Sequence, residues 1–501
     1  MNLTAQNLAV LIPFLVYIAA VVGLAVWARR RTARNIAGGS DFETEYYVSG
    51  RQEGATVTMF TFVATAASAG AFIGVPALGY VNGYGILGFI APLIFMTFLC
   101  MVILAKRVSQ IARRTGAITL LDILKSRYQS PWVVVTGAIA IIVFYIAYMV
   151  AQAVAGALLL STVTGLPYVA CLTLFMATVA LYTAFGGFRA VAYTDTLQGF
   201  WMAAGILILI PAVIVAGGGV PNITQSMYEI DPELLAPWGA AGILPGVAML
   251  MSAWVLWPVG SMAQPAQAVR YFMFRDSNAA HNVLIWGTLV SVLFFTVIML
   301  AGIWSRPILG DIPQADRAIP TLIISVLPLW IAGLILAAPF AAIMSSVDSY
   351  LLVATSSLIR DLFKNYVRSD LPKKVMTTAS ITVTVLLGAT VFLLSLQPPK
   401  FLGMIVVYSW AGLAAAFLVP FVAAIYWKRA TTAGGIASLV GGFLTYLVVD
   451  LTLKHPLGIH TVVWALAASV VGMVLASLLT RPSSRDVLDV FYGVPAYLKR
   501  R

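Results

Sequence analysis

"ASAGAFIGVPALGY", residues 67 to 80, is the stretch on which the fold turns. It lies inside a long apolar run, yet it gathers Gly70, Gly74 and Pro76. Proline removes a helical hydrogen bond and glycine loosens the backbone, so a helix entering this stretch can unwind and turn free carbonyls toward a cavity. A second stretch repeats the pattern: "WPVGSMAQPAQ", residues 257 to 267, carries Pro258, Gly260 and Pro265. Either one alone reads equally well as a proline kink. They lie five spans apart, however, and broken helices at matching positions of two five-helix halves predict an inverted repeat with its binding site near the middle of a membrane.

The composition demands that membrane. Hydrophobic residues make up 61% of the 501 and charged ones 10%, against about 25% charged in a soluble domain. Apolar runs of spanning length recur along the chain, which predicts an all-α polytopic membrane protein and not a barrel of short alternating strands. Thirteen spans are expected, near 6–28, 54–80, 85–105, 132–160, 167–184, 194–216, 245–265, 282–304, 329–357, 376–396, 401–427, 433–450 and 459–480. They form one transmembrane domain over 1–501: an extra helix at 6–28, a core at 54–427, two more helices at 433–480 and a tail at 481–501.

Charge sets the direction. With the N-terminus outside, 26 of the 30 Lys and Arg fall in inner loops or the tail, Arg189, Arg270 and Arg275 among them, and only Arg306, Arg317, Lys400 and Lys454 lie outside. The bias supports the thirteen spans and a cytoplasmic C-terminus in the plasma (inner) membrane. The net charge of +12 is therefore topological, and its scatter over many loops argues against a nucleic-acid surface. The first apolar run, followed by "RRR" with no small-residue cleavage site, is expected to stay as a helix. Cys100 and Cys171 fall within spans and predict neither a disulfide framework nor a metal motif.

Two of the 18 acids are left inside the membrane, Asp195 and Asp348, and intramembrane acids are functional candidates by default. Asp348 belongs to "AAIMSSVDSYLLVATSS", residues 341 to 357. Ser345, Asp348 and Ser349 share a helix face by their i, i+3, i+4 spacing, with Ser346 on its flank. A serine pair in a membrane helix can equally bond back to the preceding carbonyls.

Around Asp195 the stretch "GGFRAVAYTDTLQG", residues 186 to 199, resembles the signature of the sodium:solute symporter family. The resemblance extends over nearly the whole chain. Within the family it is closest to the sodium/pantothenate symporter branch, through "TVTGLPY" (162–168), "IDPELLAPWG" (230–239), "LAAPFAAIMSS" (336–346) and "YWKRATTAGG" (426–435). It implies a leucine-transporter-type core of five plus five helices and Na+ as the coupling ion. It also implies a sodium site built from the carbonyls of Ala64, Ala67 and Ala342 and the hydroxyls of Ser345 and Ser346. A second cation or proton site would match Asp195, Ser345, Asp348 and Ser349. The resemblance implies a small polar residue at the position of Asp348, so the acid is a departure from the family's pattern. Two carboxylates near one small site cannot both ionise cheaply without a cation between them.

The solute is expected beside the breaks, lined by Gly70, Ala71, Phe72, Gln152, Trp257, Gly260 and Gln264. No Lys or Arg is expected in that cavity, so an anionic solute would be held by helix N-termini, amides and hydroxyls. A small organic anion, pantothenate or another monocarboxylate, is the expected solute, with a proton-coupled or mixed-ion carrier as the alternative. Other classes lack their signatures. No span but the ninth offers a polar lining for a channel. His281, His455 and His460 lie in loops or at helix ends and build neither a catalytic pair nor a metal site. No nucleotide-binding loop occurs, and no enzymatic activity or cofactor is expected. A sensor would need a cytoplasmic domain larger than the expected 21-residue tail.

Overall fold

The computed structural model describes residues 5–240, 246–368, 372–398 and 402–493. The starts of the spans expected at 245 and 401, Lys400 and the end of the tail lie outside the described residues. Among the described residues the chain is helical throughout, with no strand. Ten helices among the described residues are long and apolar enough to cross a membrane, and Ala55–Ala66 and Val247–Val259 are shorter apolar ones.

The chain opens with α1 (Ala5–Ala37) and a short α2 (Phe42–Val48), then reaches α3 (Ala55–Ala66), the first half of the broken helix. α3 stops where Ala67 leaves helical geometry (φ −78°, ψ 84°). Helical turns resume at Gly70 and continue into α4 (Val75–Asn82) and, past Gly83, a helical run from 86 to 115. α5 (Pro131–Thr164) shows why these boundaries fall where they do. Ser130 Oγ accepts the Trp132 N–H, Pro131 occupies the first turn where its missing donor costs nothing, and Gly165 closes the helix at φ 69°.

α6 (Tyr168–Ala216) contains a joint. Gly187 has φ 64° and ψ −169°, and the chain is helical on both sides of it. The loop expected between spans at 184 and 194 thus shrinks to one residue. Only glycine serves there, because the conformation is left-handed and a Cβ would meet the Tyr46 ring at 2.5 Å. Tyr46 OH donates to Ala184 O at 2.8 Å, an acceptor near the interruption. Arg189, expected in an inner loop, is instead buried and paired with Glu45 at 2.9 Å.

The second broken helix is α7 (Val247–Trp254), extended to Val259, followed by α8 (Pro265–Met273). After α9 (Thr288–Leu309) comes α10 (Leu329–Ser356), whose helical course runs on to Lys364. The remaining helices are α11 (Lys373–Leu394), α12 (Leu402–Tyr426), α13 (Thr432–Thr452) and α14 (Thr461–Leu479). α10 is buried on nearly every side, packed by α1, α3, α5, α6 and α11. α6 instead turns Leu174, Leu181, Phe185, Phe200 and Leu207 outward, as a lipid-facing helix does. A helix surrounded by protein can carry hydroxyls and an acid that a lipid-facing helix could not.

Candidate functional site

The first broken helix meets α10 end to side. Ser345 Oγ stands 3.0 Å from Ala64 O, across the gap, and 3.0 Å from Ala342 O within its own helix. Ser346 Oγ also reaches Ala342 O, at 3.1 Å. The back-bonding expected of a serine pair is therefore present, and one of the two hydroxyls also bridges to α3. Ala67, where α3 unwinds, is buried as well. The layer contains neutral oxygens only.

A charged layer lies next to it, one helical turn along α10. Its centre is Arg270, which charge counting assigned to an inner loop. The structure corrects that assignment: Arg270 sits on α8 with no solvent exposure and forms an ion pair with Asp195 Oδ2 at 3.2 Å. The same nitrogen, Nη2, donates to Ser349 Oγ at 2.7 Å, to Thr61 Oγ1 at 3.1 Å and to Thr65 Oγ1. Nη1 donates to Ala266 O at 2.7 Å, and the guanidinium lies over the Phe188 ring. Thr61 Oγ1 also donates to Asp195 Oδ2 at 2.5 Å. Asp348 accepts from Tyr182 OH at 2.6 Å and, weakly, from Ser349 Oγ at 3.4 Å. Asp195, Asp348 and Ser349 thus share one buried cluster, as the sequence grouped them. Thr61, Thr65, Tyr182 and Arg270 were not foreseen. Two acids without a nearby cation were the signal that should have prompted the search for Arg270, since intramembrane charges pair with one another.

A narrow cavity of about 50 Å³ lies against the first break. Gly70, Ala71 and Trp257 line it, joined by Ser68, Tyr148 and Trp410, which sequence reasoning did not name. The other expected solute residues, Phe72, Gln152, Gly260 and Gln264, are not among those that line it. Gln152 Oε1 accepts the Ala69 N–H at 2.7 Å and so braces the unwound segment, while Gln264 donates to Trp410 O at 2.9 Å. Phe72 packs on Phe294 with centroids 4.9 Å apart. A side chain at Gly260 would reach Ala414 Cβ at 3.0 Å, so that glycine permits α12 to approach. The Gln152 Nε2, Trp257 Nε1 and Trp410 Nε1 donors are buried without partners. No Lys or Arg lines this cavity.

A model of the sodium:solute symporter family matches residues 46–442. The chain is 36% identical over 474 residues to the sodium/pantothenate symporter of Escherichia coli K12, covering 94% of this chain and 97% of that protein. The chain belongs to the sodium:solute symporter family. The sodium/pantothenate symporter of Haemophilus influenzae is 35% identical, covering 89% of this chain and 91% of its own length. Among solved structures, the substrate-bound outward-open state of a Na+-coupled sialic acid symporter superposes with a TM-score of 0.77 at 19% identity, covering 97% of this chain and 100% of that one. The crystal structure of MhsT in complex with L-phenylalanine aligns at a TM-score of 0.52 and 14% identity, covering 83% of this chain and 99% of that one. These likenesses give the fold, that of leucine-transporter-type carriers. The protein is a multi-pass membrane transporter and not an enzyme, and Na+ is the coupling ion that its family implies.

Proposed function

We propose that this symporter imports a small organic anion, pantothenate or a related monocarboxylate, together with sodium by alternating access. The observation that carries the reading is the neutral oxygen layer between the end of α3 and α10. Sodium sheds its water only for several oxygen ligands, and Ala64, Ala67, Ala342, Ser345 and Ser346 can offer five without bringing a charge. Asp195, Asp348 and Ser349 are assigned to a second site for a cation or a proton.

The cavity beside the first break is assigned to the solute. Its unpartnered polar groups are donors, which suits a solute rich in acceptor oxygens, and its volume of about 50 Å³ holds a few waters. Loading the site therefore requires the cavity to open. The branch resemblance and the two pantothenate-transporting relatives support the choice of solute. The same reading places thirteen spans in the membrane: α6 counts as two divided at Gly187, α3 joins α4, and α7 joins α8. An inverted five-plus-five core then runs from 54 to 427 within a single domain, with the N-terminus outside and the C-terminus in the cytoplasm.

Uptake of labelled small carboxylates, sugars and cationic amines into proteoliposomes, with and without an inward sodium gradient, tests this. Sodium-driven uptake with pantothenate or another monocarboxylate preferred is the expected result. Preference for a sugar or an amine over every carboxylate would remove the solute assignment.

A further inference from the structure

Arg270 Nη2 lies within 3.2 Å of four oxygens from three helices: Thr61 Oγ1 and Thr65 Oγ1 on α3, Asp195 Oδ2 on α6 and Ser349 Oγ on α10. A guanidinium NH2 group has two hydrogens to give. Four converging oxygens are more than it can serve, whereas a monatomic cation is not limited by donor direction. The cluster has a further deficit. Asp195 Oδ1 is buried with no partner, as are both polar atoms of Gln198 one turn beyond it. Asp348, also without exposure, has hydroxyl partners but no cation within ion-pair distance. One fixed positive charge thus pairs with only one of two buried acids and leaves Asp195 Oδ1 without a partner.

We propose that Arg270 is a tethered competitor at the second cation site assigned above to Asp195 and Ser349, occupying its oxygens, with those of Thr61 and Thr65, when the ion is absent. The two positive charges exclude one another. Entry of sodium releases the guanidinium from Asp195, Thr65 and Ser349, and departure of sodium lets it return. Arg270 is then a positioning residue for transport, holding α8 against α3 and α10 until the ion takes its place. Thr61 and Thr65 become ion ligands beside the acids. The inference rests on the sodium-coupled reading above and adds to it an exchange between a side chain and an ion.

The purified full-length protein tests it without substitution, through modification of Arg270 by phenylglyoxal followed by mass spectrometry of its peptide. Sodium chloride is compared with choline chloride at equal ionic strength. Sodium should raise the modification rate of Arg270 about fivefold or more by increasing its open population, while buried Arg127, held by Ala430 O and Ser483, serves as an unchanging reference. Unaltered or slower modification of Arg270 in sodium overturns the proposal. In parallel, Arg270→Gln should lower the sodium concentration for half-maximal change in tryptophan fluorescence about tenfold, since the competitor no longer holds the site. Weaker sodium binding by this variant would mean that Arg270 supports the ion and does not compete with it. If the variant fails to fold, the labelling of the unaltered protein decides. Sodium-driven uptake sensitive to Ser345→Ala, with no effect of sodium on Arg270 labelling, removes this inference and leaves the transport reading. Uptake indifferent to sodium removes both.

Discussion

Two polar layers lie one helical turn apart on α10, and they solve the same problem in opposite ways. The layer at Ser345 and Ser346 contains no charge and closes on itself, hydroxyl to carbonyl. The layer at Ser349 holds two acids and supplies its own cation, Arg270. A neutral layer can stand empty because its oxygens bond to one another. A charged layer cannot, since an unpaired buried charge costs far more than an unpaired hydroxyl. The difference teaches that a buried layer made of acids needs a resident counter-charge, whereas one made of carbonyls and hydroxyls does not.

The largest expected effect breaks the charged layer. Asp195→Asn strands Arg270 in the interior and should lower stability by about 3 kcal/mol or more, seen as a reduced melting temperature in detergent, and should abolish uptake. The Asp195→Asn, Arg270→Gln double variant should lose less than the two single losses added, because the groups share one interaction. Additive losses would mean that the pair is not coupled. In the neutral layer, Ser345→Ala should leave folding nearly intact and raise half-saturating sodium about tenfold, worth about 1.4 kcal/mol. Ser346→Ala should do less, since that hydroxyl reaches only its own helix. Unchanged sodium dependence in both would withdraw the sodium assignment.

Asp348→Asn sharpens the comparison further. It should lower the sodium Hill coefficient by a modest fraction at near-normal expression, as the isosteric amide keeps the Tyr182 contact. A flattened pH dependence at constant Hill coefficient would instead identify Asp348 as a proton carrier. The smallest effect lies far from both layers, at the corner between α13 and α14. Burial, and then the neighbouring His455, pushes the His460 imidazole down to about 3. Its Nδ1 accepts the Val462 N–H at 3.2 Å, which requires an unprotonated nitrogen. Its stabilising contribution is therefore complete above the ordinary histidine range and is lost as the pH falls. From pH 7.5 to 6 the loss should be about 1 kcal/mol, and His460→Gln should remove that dependence. If the pH response survived in His460→Gln and vanished in Asp348→Asn, it would belong to the charged layer.

Much of this arrangement is legible in the residues. Glycine and proline mark both interruptions because backbone rules are local, and the signature around Asp195 identifies the family. Ser345, Asp348 and Ser349 share a face because helical spacing says so. Arg270 is not legible in the same way. It stands five residues beyond Pro265 in a nine-residue helix, and a count of loop charges registers sign without burial. Arg189 misleads for the same reason: its partner Glu45 lies over a hundred residues earlier, and nothing local announces the pairing. Tyr182, Thr61 and Thr65 were missed because a lone hydroxyl in an apolar helix has no distinguishing pattern until a third helix brings it a partner. The cavity assigned by proposal to the solute was only half legible, since Tyr148 and Trp410 read as packing until α5 and α12 are brought together.

The joint at Gly187 has a mechanical consequence. Beyond it, one rigid piece of α6 carries Arg189 near its start and Asp195 less than two turns on. Arg189 grips Glu45 on α2, and Glu43, two residues away on that same short helix, holds Arg360 and Lys364 at the far end of the α10 course. Arg360 in turn reaches Asp122. The buried charged cluster and the far end of the α10 course are therefore joined like meshed gears, tooth by tooth through ion pairs. Tyr46 seals the axle on which the first wheel turns.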